Sequence, residues 1–570
     1  MSVNSPSLDS ALSLPGGSKN GEARATALAA STLADLHPTR VISYRSQGNL
    51  LIVGPRSAVL GAAKGLSDRI HCILLVTDTS LDERDAVPRA GNRTVLAGAP
   101  ESISGHLGRF SVLVKGPDRP IGLHELTASP RPYVDLVLDL SEPPAIASER
   151  KPPGYFAPGR DQAVLAQALA AIPELGGELE KPEYVLYDPE ICAHGRSGIQ
   201  GCTRCLDSCP SDAIRSVGDW VEVDPYLCQG VGSCATACPT GAMRYAYPRL
   251  EDLLERLRIL MRVYREAGGE SPSLLFHDGG EARARLERIV ERIPDSVIPL
   301  EVEEIGNLGM DVWLAALAYG AGRVVLLGAP TVDRSAVAEI GRQVSYARTL
   351  LEGMGYPGGA LSYVEQAGDE PLVDILAATE DCIRLEPASF AAMDEKRTVI
   401  HLALDHLHRE APKPRPLAIL PDGAPFGEVW LNAERCTLCM ACVSQCPGKA
   451  LQAGDESPQL RFIEDNCVQC GLCARSCPEN AIGPSPRYLF DGVQRRRVRV
   501  LKEEEPFLCI RCGKPFATQS VIQRILGQLQ GHPGVGPEEM RRLRMCEDCR
   551  VKAMFETERP ESAAASQEAP

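Results

Sequence analysis

Residues 436–450, CTLCMACVSQCPGKA, and residues 467–481, CVQCGLCARSCPENA, carry the strongest structural signal in a chain of 570 residues. Both stretches space their cysteines as C-x-x-C-x-x-C-x-x-x-C and follow the last one with proline. Two-residue gaps allow a tight loop to direct three thiolates at one inorganic centre, and thiolates are the soft ligands that iron–sulfur clusters select. A zinc site needs only four cysteines and no Cys-Pro ending, so the pattern favours iron–sulfur clusters.

Three cysteines of one such run hold one [4Fe-4S] cluster, and the fourth reaches across to a second cluster. One predicted ligand set is therefore Cys436, Cys439, Cys442 and Cys477. The other predicted set is Cys467, Cys470, Cys473 and Cys446. We expect the fourth cysteine of each run to open a short helix, because a proline at a helix N-terminus loses no hydrogen bond.

A second copy of this arrangement lies upstream, with changes. Residues 202–214, CTRCLDSCPSDAI, and residues 234–243, CATACPTGAM, repeat the Cys-Pro-x-x-Ala ending, which occurs four times in the chain and indicates an internal duplication. Ile199 stands where the first cysteine belongs, and the glycine-containing loop before it allows Cys192 to reach the vacated iron. The predicted ligand set is Cys192, Cys202, Cys205 and Cys238. His194 is a rival ligand, although a hydrogen-bonded neighbour is the more common role for such a histidine.

Both cysteine blocks resemble bacterial ferredoxin-type [4Fe-4S] proteins. The stretches DLVLDLSEPP (135–144), PPGYFAPG (152–159) and ELEKPEYVLYDPEICAHGRSGIQGCTRCLDSCP (178–210) are similar to large iron–sulfur proteins encoded beside molybdenum-dependent formate dehydrogenases. The stretch IGNLGMDVWLAALAYGAGRVVLLGAP (305–330) looks like the delta-type subunit that joins hydrogenases to heterodisulfide reductase. It lacks that subunit's cysteines, so no [2Fe-2S] centre is expected there.

The second cluster of the upstream copy is predicted on Cys209, Cys228 and Cys234, with Val231 at the position of the fourth ligand. The other cysteines keep their spacing and both Cys-Pro endings persist, so we expect the binding pocket to be retained. Ferredoxins that lack this one cysteine often hold a [3Fe-4S] centre, and the resemblance implies that form here. A [4Fe-4S] cluster with a non-cysteine ligand on one iron is the alternative.

Four further cysteines, Cys509, Cys512, Cys546 and Cys549, form two C-x-x-C pairs without Cys-Pro endings. Residues 507–516, FLCIRCGKPF, have the form of a zinc-ribbon knuckle, with a glycine that allows the tight turn. We expect a closed zinc site with a helix within 517–530 packed on it; a fifth iron–sulfur cluster is the alternative. Of the 21 cysteines only Cys72 and Cys382 remain, and we expect both to be buried and inert.

The charge and hydropathy of the sequence limit which classes of binding partner and which cellular compartment we expect. The net charge of −15 disfavours nucleic acid, whose phosphates would be repelled, and offers no attraction to anionic lipid. No apolar run reaches the roughly 18 residues of a membrane helix, and the N-terminal residues show no basic start followed by an apolar run. Clustered cysteines without such a signal indicate a reducing cytoplasm.

The basic run RRRVR (495–499) is expected to be a solvated face of a strand or linker, with a docking patch as the alternative.

Outside the cysteine blocks, short apolar strands alternate with helical periods. The segments NLLIVG, HCILLVTD, FSVLVKG and VDLVLDL predict strands of an N-terminal α/β domain. The segments SLLFHD, SVIPLEV and RVVLLGAP, with helical segments between them, predict a central doubly wound α/β domain with a largely parallel sheet. Neither domain carries a nucleotide fingerprint such as G-x-G-x-x-G.

The expected fold class is multidomain α/β plus α+β, with two ferredoxin-like dicluster modules separated by a doubly wound α/β domain. An N-terminal α/β domain and a C-terminal four-cysteine zinc-ribbon-like tail complete it. The expected boundaries are a disordered N-terminus at 1–35, the N-terminal α/β domain at 36–180, the first ferredoxin-like domain at 181–248, the central α/β domain at 249–410, the second ferredoxin-like domain at 425–490, the four-cysteine segment at 500–556 and a disordered tail at 557–570.

The pattern favours an iron–sulfur electron-transfer protein that relays single electrons between a cytoplasmic, formate dehydrogenase-like enzyme and an acceptor. It would carry three [4Fe-4S] clusters, one [3Fe-4S] or unusual [4Fe-4S] cluster and a zinc ion, and it would need no catalytic acid, base or nucleophile. The alternatives are an NAD(P)H- or flavin-linked oxidoreductase subunit and an accessory factor for metalloenzyme maturation. We expect redox protein partners such as a dehydrogenase catalytic subunit, no nucleic acid and no membrane insertion.

Overall fold

The computed structural model describes residues 14, 16–32, 37, 39–66, 70–78, 93–365, 368–455 and 457–557. The chain divides into two compact units. The first unit comprises Met1–Glu190 and Thr203–Pro414, and the second comprises Ile191–Cys202 and Arg415–Pro570. Both contain helices and strands, so the chain has a mixed α/β fold.

An N-terminal parallel sheet opens the first unit. In spatial order its strands are Arg93–Ala97, Cys72–Val76, Leu50–Gly54, Leu136–Asp139 and Tyr155–Phe156. Three of these strands are buried along their whole length, because helices cover a parallel sheet and its strands are then apolar on both faces. Three of the four N-terminal strands predicted from the sequence lie in this sheet, and the fourth, within FSVLVKG, is confirmed as Ser111–Val114 in a separate antiparallel sheet.

Further elements of this domain pack around that sheet. Its helices and remaining strands are Arg56–Lys64, Leu123–Thr127, Gln162–Ala171, Val41–Ser46, Pro100–Ser104, Ser111–Val114, Ile121–Gly122 and Gly177–Pro182, with a 3₁₀ helix at Ile172–Leu175. Val41–Ser46 and Gly177–Pro182 pair as antiparallel strands, with Ile42 opposite Lys181.

The N-terminal residues are partly helical. The expectation of disorder over 1–35 is wrong for Lys19–Ala30, which form a helix capped by the hydroxyl of Ser18. Arg24 in this helix is buried and its guanidinium lies 3.5 Å from the carboxylate of Asp295. The helix packs on Leu250–Glu266, and this tertiary contact explains an ordered segment whose composition alone suggested none. The predicted tail beyond residue 557 lies outside the described residues.

The upstream cysteine block in the first unit is built from short elements. They are the strands Val185–Tyr187, Ile214–Val217, Trp220–Val223 and Met243–Tyr245, the helices Arg204–Asp207 and Ser233–Ala237, and a 3₁₀ helix at Pro189–Ile191. The strands form two antiparallel pairs.

A four-stranded parallel sheet forms the core of the central domain. In spatial order its strands are Val297–Val302, Ser273–Asp278, Arg323–Leu327 and Leu361–Val364. The strand that comes first in the chain is internal, so the connections run in both directions, which is the doubly wound arrangement expected from the sequence. Pro299 is tolerated because its strand lies at the edge of the sheet. The fourth strand, LSYV, is short and half-buried, and the sequence did not reveal it.

Helices cover this sheet. They are Leu250–Glu266, Gly280–Arg288, Met310–Ala318, Arg334–Gly353, Asp369–Ala377 and Lys396–Arg409, with 3₁₀ helices at Val290–Arg292, Ile305–Asn307 and Gly358–Ala360. Every residue of Met310–Ala318 is buried, including the indole of Trp313, which places this helix in the interior of the domain.

The second unit contains the downstream cysteine block and the C-terminal cysteines. Its strands are Gly195–Arg196, Ile199–Gln200, Leu417–Ile419, Gly427–Leu431, Leu451–Ala453, Gln459–Phe462, Ile482–Leu489, Arg499–Glu503, Pro506–Leu508 and Pro515–Thr518. Its helices are Ala441–Ser444, Leu472–Ser476, Gly492–Arg496, Gln519–Leu529, Pro537–Arg542 and Glu547–Thr557, with a 3₁₀ helix at Glu464–Asn466. The helix predicted within 517–530 is confirmed, and the Thr518 hydroxyl caps it by accepting from the N–H of Val521.

The basic run RRRVR is only partly exposed. Arg496 and Arg497 are exposed as expected, but Arg495 is 2% exposed. Its Nε lies 2.5 Å from the carboxylate of Asp465, and its guanidinium stands 4.8 Å from the centre of the Tyr488 ring. The expectation of a solvated face is therefore wrong for Arg495, because local charge density in a sequence does not reveal a distant carboxylate.

Replacing Arg495 with alanine is expected to lower the free energy of unfolding of the full chain by about 3 kcal/mol, because Asp465 would lose the partner of a largely buried ion pair. The shift of the urea midpoint, multiplied by the denaturant slope, measures the change. Arg496→Ala is the matched control and should change stability by no more than about 0.5 kcal/mol. Equal effects of the two substitutions would contradict the structural role of Arg495.

Candidate metal centres

The loops between the downstream cysteines have an unusual backbone that repeats. Leu438 and Met440 have φ of 54° and 60°, and Gln469 and Gly471 have φ of 53° and 78°. In each run these are the second and fourth residues after the first cysteine. Alternation of left-handed with ordinary conformations turns successive N–H groups to one side and forms a concavity that suits anions and iron–sulfur clusters. The backbone therefore fits the cluster chemistry that the cysteines predict.

The altered run of the upstream block keeps this backbone. Gly230 and Gly232 have φ of 76° and 81°, at the same two positions after Cys228. Space is also limiting, because a Cβ on Gly230 would lie 2.7 Å from the Tyr184 ring. Val231, between the two glycines, is 5% exposed. The loop therefore retains the conformation of a complete run although it lacks one thiol.

In two runs the fourth cysteine ends a short helix instead of opening one, and in the other two the helix ends one residue earlier, with Ser208 and Gln445 as the C-caps. Ser233–Ala237 is followed by Cys238 with φ and ψ of −64° and 118°, and Leu472–Ser476 is followed by Cys477 with −79° and 111°. The expectation of a helix that starts at the fourth cysteine was wrong. The following proline disfavours the α conformation in the residue before it, so the cysteine becomes extended and the helix stops.

Thiols of the first predicted downstream set face one another. Burial raises the pKa of the Cys442 thiol to about 12. The thiolates that add to this rise belong to Cys436, Cys439 and Cys477. The Sγ of Cys477 also accepts a hydrogen bond from the N–H of Ala481 at 3.3 Å. The neighbours of Cys442 are thus the other members of its predicted ligand set.

The second downstream set shows the same neighbourhood. Burial raises the pKa of the Cys470 thiol to about 11, and the thiolates of Cys446 and Cys467 add to the rise. Burial likewise raises the pKa of Cys473. The amide of Gln469 donates to the Sγ of Cys467 at 3.1 Å. Buried thiols that repel one another as thiolates need a cation or cluster to hold them deprotonated.

Three thiols of the altered set are also close. Cys234 is buried, and burial raises its pKa well above the usual range; the thiolates that add to this rise belong to Cys228, Cys209 and Cys205. Cys238 receives a hydrogen bond at Sγ from the N–H of Met243 at 3.4 Å, much as Cys477 does from Ala481. The assignment of individual ligands stays a prediction.

The remaining predicted set is divided between the two units. Cys192 and Cys202 belong to the second unit, whereas Cys205 and Cys238 belong to the first, so this set also stays a prediction. The hairpin of Gly195–Arg196 and Ile199–Gln200 lies between Cys192 and Cys202 and contacts the helix Leu472–Ser476. The Nδ1 of buried His194 lies 2.8 Å from the carbonyl oxygen of Cys202, which accepts its hydrogen bond.

The four C-terminal cysteines converge. The Sγ atoms of Cys509, Cys512, Cys546 and Cys549 all lie within 4.8 Å of one another. Burial would raise the pKa of Cys509, but backbone N–H donors, including that of Arg511, outweigh it and lower this pKa to about 6. Four convergent sulfurs, one of them readily deprotonated, form a candidate site for one metal ion.

The two cysteines outside these groups differ. Cys72 is buried in its strand, as expected. Cys382 is half-buried, so the expectation of full burial is wrong for it. It follows the helix Asp369–Ala377 in an irregular segment, where no periodic pattern of apolar residues allows the burial of a side chain to be predicted.

Two lysines near the cysteine loops were missed by the sequence analysis. The ammonium of Lys181 donates to the carbonyl oxygen of Cys228, and that of Lys502 donates to the carbonyl oxygen of Cys436. Each lysine lies far from its cysteine along the chain, so no local motif marks it.

None of the helices in the described ranges is long and apolar enough to cross a bilayer.

Comparison with known proteins agrees with the cysteine geometry. The 4Fe-4S dicluster domain matches residues 176–242 and 435–481. The indolepyruvate oxidoreductase subunit IorA of Methanothermobacter thermautotrophicus is 26% identical over 358 residues, which are 57% of this chain and 50% of that protein. The pyruvate synthase subunit PorD of Thermotoga maritima is 39% identical over 61 residues, 10% of this chain and 60% of that protein. The ferredoxin-type protein NapF of Escherichia coli K12 is 38% identical over 57 residues, 10% of this chain and 35% of that protein.

These matches are partial, since the chain spans half or less of the length of IorA and NapF. They nevertheless agree on one chemistry. The chain contains ferredoxin-type 4Fe-4S dicluster domains in two places, and its relatives are ferredoxins and oxidoreductase subunits, which supports iron–sulfur electron transfer.

The glycines of the cysteine loops offer a matched test. Gly232→Ala should lower the iron content per chain, because the new Cβ would lie 2.3 Å from the Cβ of Asn307 in addition to the strain of positive φ. Gly471→Ala meets nothing within 4 Å and should cost only about 1 kcal/mol of backbone strain. Iron and acid-labile sulfide analysis measures both. Equal iron content in the two variants would contradict a tightly fitted loop at Gly232.

Proposed function

We propose that this protein is an iron–sulfur electron-transfer subunit that relays single electrons between a dehydrogenase and an acceptor. The observation that carries the proposal is the repeated left-handed backbone in three cysteine loops. The residues with positive φ in these loops are Leu438 and Met440, Gln469 and Gly471, and Gly230 and Gly232. Iron–sulfur clusters, when bound, accept and release single electrons. The chain's own part is to supply thiolates, exclude water and donate hydrogen bonds to sulfur.

Three ordinary [4Fe-4S] clusters are proposed on complete ligand sets. The sets are Cys436, Cys439, Cys442 and Cys477; Cys467, Cys470, Cys473 and Cys446; and Cys192, Cys202, Cys205 and Cys238. The mutual closeness of the thiols in the downstream block supports the first two. The third rests on the sequence pattern.

A [3Fe-4S] centre is proposed on Cys209, Cys228 and Cys234. All residues from 230 to 239 are buried, and the valine at 231 offers no donor atom. A fourth iron would need a ligand, and burial of the loop disfavours a water molecule in that role. Burial of this loop therefore favours the three-iron form over a [4Fe-4S] cluster with a solvent ligand.

Zinc is proposed at the C-terminal cysteines. Three of the four thiols are buried, they carry no Cys-Pro ending, and their sulfurs approach within the distance that one ion requires. Metal analysis should find one zinc ion per chain. About four additional irons in place of zinc would indicate a fifth cluster instead.

Restoring the missing thiol tests the three-iron proposal. Val231→Cys should raise the iron content by about one atom per chain and replace the EPR signal of an oxidised [3Fe-4S] centre with that of a reducible [4Fe-4S] cluster. Val468→Cys is the control, because it adds a buried thiol beside a complete run and should leave the iron content unchanged. Four ordinary [4Fe-4S] signals in the unsubstituted protein would refute the three-iron centre.

The partner is proposed to be a cytoplasmic dehydrogenase of the formate dehydrogenase type, on the resemblance of residues 135–210. IorA and PorD are by name subunits of an oxidoreductase and a synthase, which supports a role within a redox complex. The alternative, a nicotinamide- or flavin-linked subunit, has less support because the sequence has no dinucleotide fingerprint.

The relay and its alternative respond differently to reductants. Under anaerobic conditions, formate with a catalytic amount of formate dehydrogenase should bleach the visible absorbance of the purified protein. NADH alone should leave the absorbance unchanged, and dithionite provides the fully reduced reference. Rapid bleaching by NADH without any added enzyme would instead favour the nicotinamide-linked alternative.

A further inference from the structure

Lys181 places a positive charge beside the altered cysteine loop. Its Nζ donates to the carbonyl oxygen of Cys228 and, at 3.3 Å, to that of Tyr226. The ring of Tyr44 lies 5.1 Å from the same Nζ, and the Tyr44 hydroxyl donates to the Tyr226 carbonyl oxygen at 2.7 Å. These contacts fix the ammonium one peptide group away from a predicted cluster ligand and limit its access to water.

Lys502 has the equivalent position in the downstream block. Its Nζ donates to the carbonyl oxygens of Cys436 and, at 2.8 Å, Ala433. The turns that present the two cysteines are also alike. The N–H of Cys228 donates to the carbonyl oxygen of Asp224, and the N–H of Cys436 donates to that of Asn432, each at 3.0 Å.

The two lysines differ in their counter-charge. The Nζ of Lys502 lies 2.6 Å from the carboxylate of Glu504. Within the described part of the chain, no carboxylate oxygen lies within 4.0 Å of the Nζ of Lys181, whose nearby acceptors are carbonyl oxygens. The charge of Lys502 is therefore paired directly, whereas that of Lys181 is opposed by the more distant carboxylate of Asp224, which caps the turn before Cys228.

We propose that Lys181 is a positioning residue that raises the reduction potential of the centre on Cys209, Cys228 and Cys234, and that Glu504 mutes the same effect of Lys502 on the centre at Cys436. This role rests on the proposed function, since it requires a cluster at each loop.

The physical reason is electrostatic. Reduction adds one negative charge to a cluster, and a nearby cation stabilises the reduced form more than the oxidised form. Lys181 is partly buried. Salt screens a partly buried charge less than an exposed one, so the effect of Lys181 persists at physiological ionic strength. A neutral pair acts mainly as a dipole, whose field falls faster with distance. The upstream centre should consequently hold an electron more readily than its ligands alone would dictate.

EPR-monitored redox titration of the anaerobic full-length protein, below neutral pH, tests the proposal. The signal of the upstream centre is the one that Val231→Cys alters. Lys181→Met should lower its midpoint potential by about 59 mV, which is a tenfold change in the equilibrium constant of a one-electron couple. Lys181→Arg keeps the charge and should stay close to the unsubstituted value. Lys502→Met is the matched control, and the centre at Cys436 should shift by less than half as much.

A second variant keeps the test decisive if Lys181→Met loses iron. Glu504→Gln leaves Lys502 without its counter-charge and should raise the midpoint of the centre at Cys436; an unchanged midpoint would overturn the proposal. An intact upstream signal with an unmoved midpoint in Lys181→Met would overturn the role of Lys181 alone. Absence of any signal from the upstream centre in the unsubstituted protein would overturn the proposed function, and this role with it.

Discussion

The geometry of the cysteine loops depends on pairs of residues held in the left-handed conformation. L-amino acids other than glycine rarely adopt this conformation, yet Leu438, Met440 and Gln469 do so here. Their strain is offset only if the surrounding structure or a bound group favours the resulting concavity of N–H groups. Gly230 and Gly232 have the same geometry although position 231 between them carries no thiol.

Burial gives these sites their second property. An apolar environment disfavours a thiolate, so the buried thiols of Cys234, Cys442 and Cys470 have raised pKa values without a bound group. Binding of iron must therefore release protons, and the binding free energy contributes to folding of the loops. Cys509 is the exception, because backbone donors lower its pKa despite burial. In the same group, burial raises the pKa of Cys549 to about 12, so the four C-terminal thiols differ in how readily they lose a proton.

Sequence patterns predicted what is local or periodic. The apolar strands of both parallel sheets are buried on two faces, so each is recognisable in the sequence as a continuous apolar run. The helix after Thr518 is preceded by its own capping residue. The sequence patterns gave wrong predictions where a residue distant in the chain determines burial or secondary structure. Arg495 is buried because Asp465 lies beside it, and Lys19–Ala30 are helical because another helix supports them. Lys181 belongs to the same class, since it is 47 residues from Cys228 along the chain and meets it only in the folded structure.

The fourth cysteine shows that a correct ligand pattern does not fix the backbone around it. Proline was expected to mark the start of a helix, but its effect on the preceding residue dominates and ends one. The extended cysteine then leaves the helix axis, while the third cysteine of the run remains within the helix. The third and fourth cysteines are thus held by different backbone conformations at the end of one short helix. The altered run keeps this arrangement around Cys234 and Cys238, so a valine at position 231 leaves the backbone at both of these cysteines like that of a complete run.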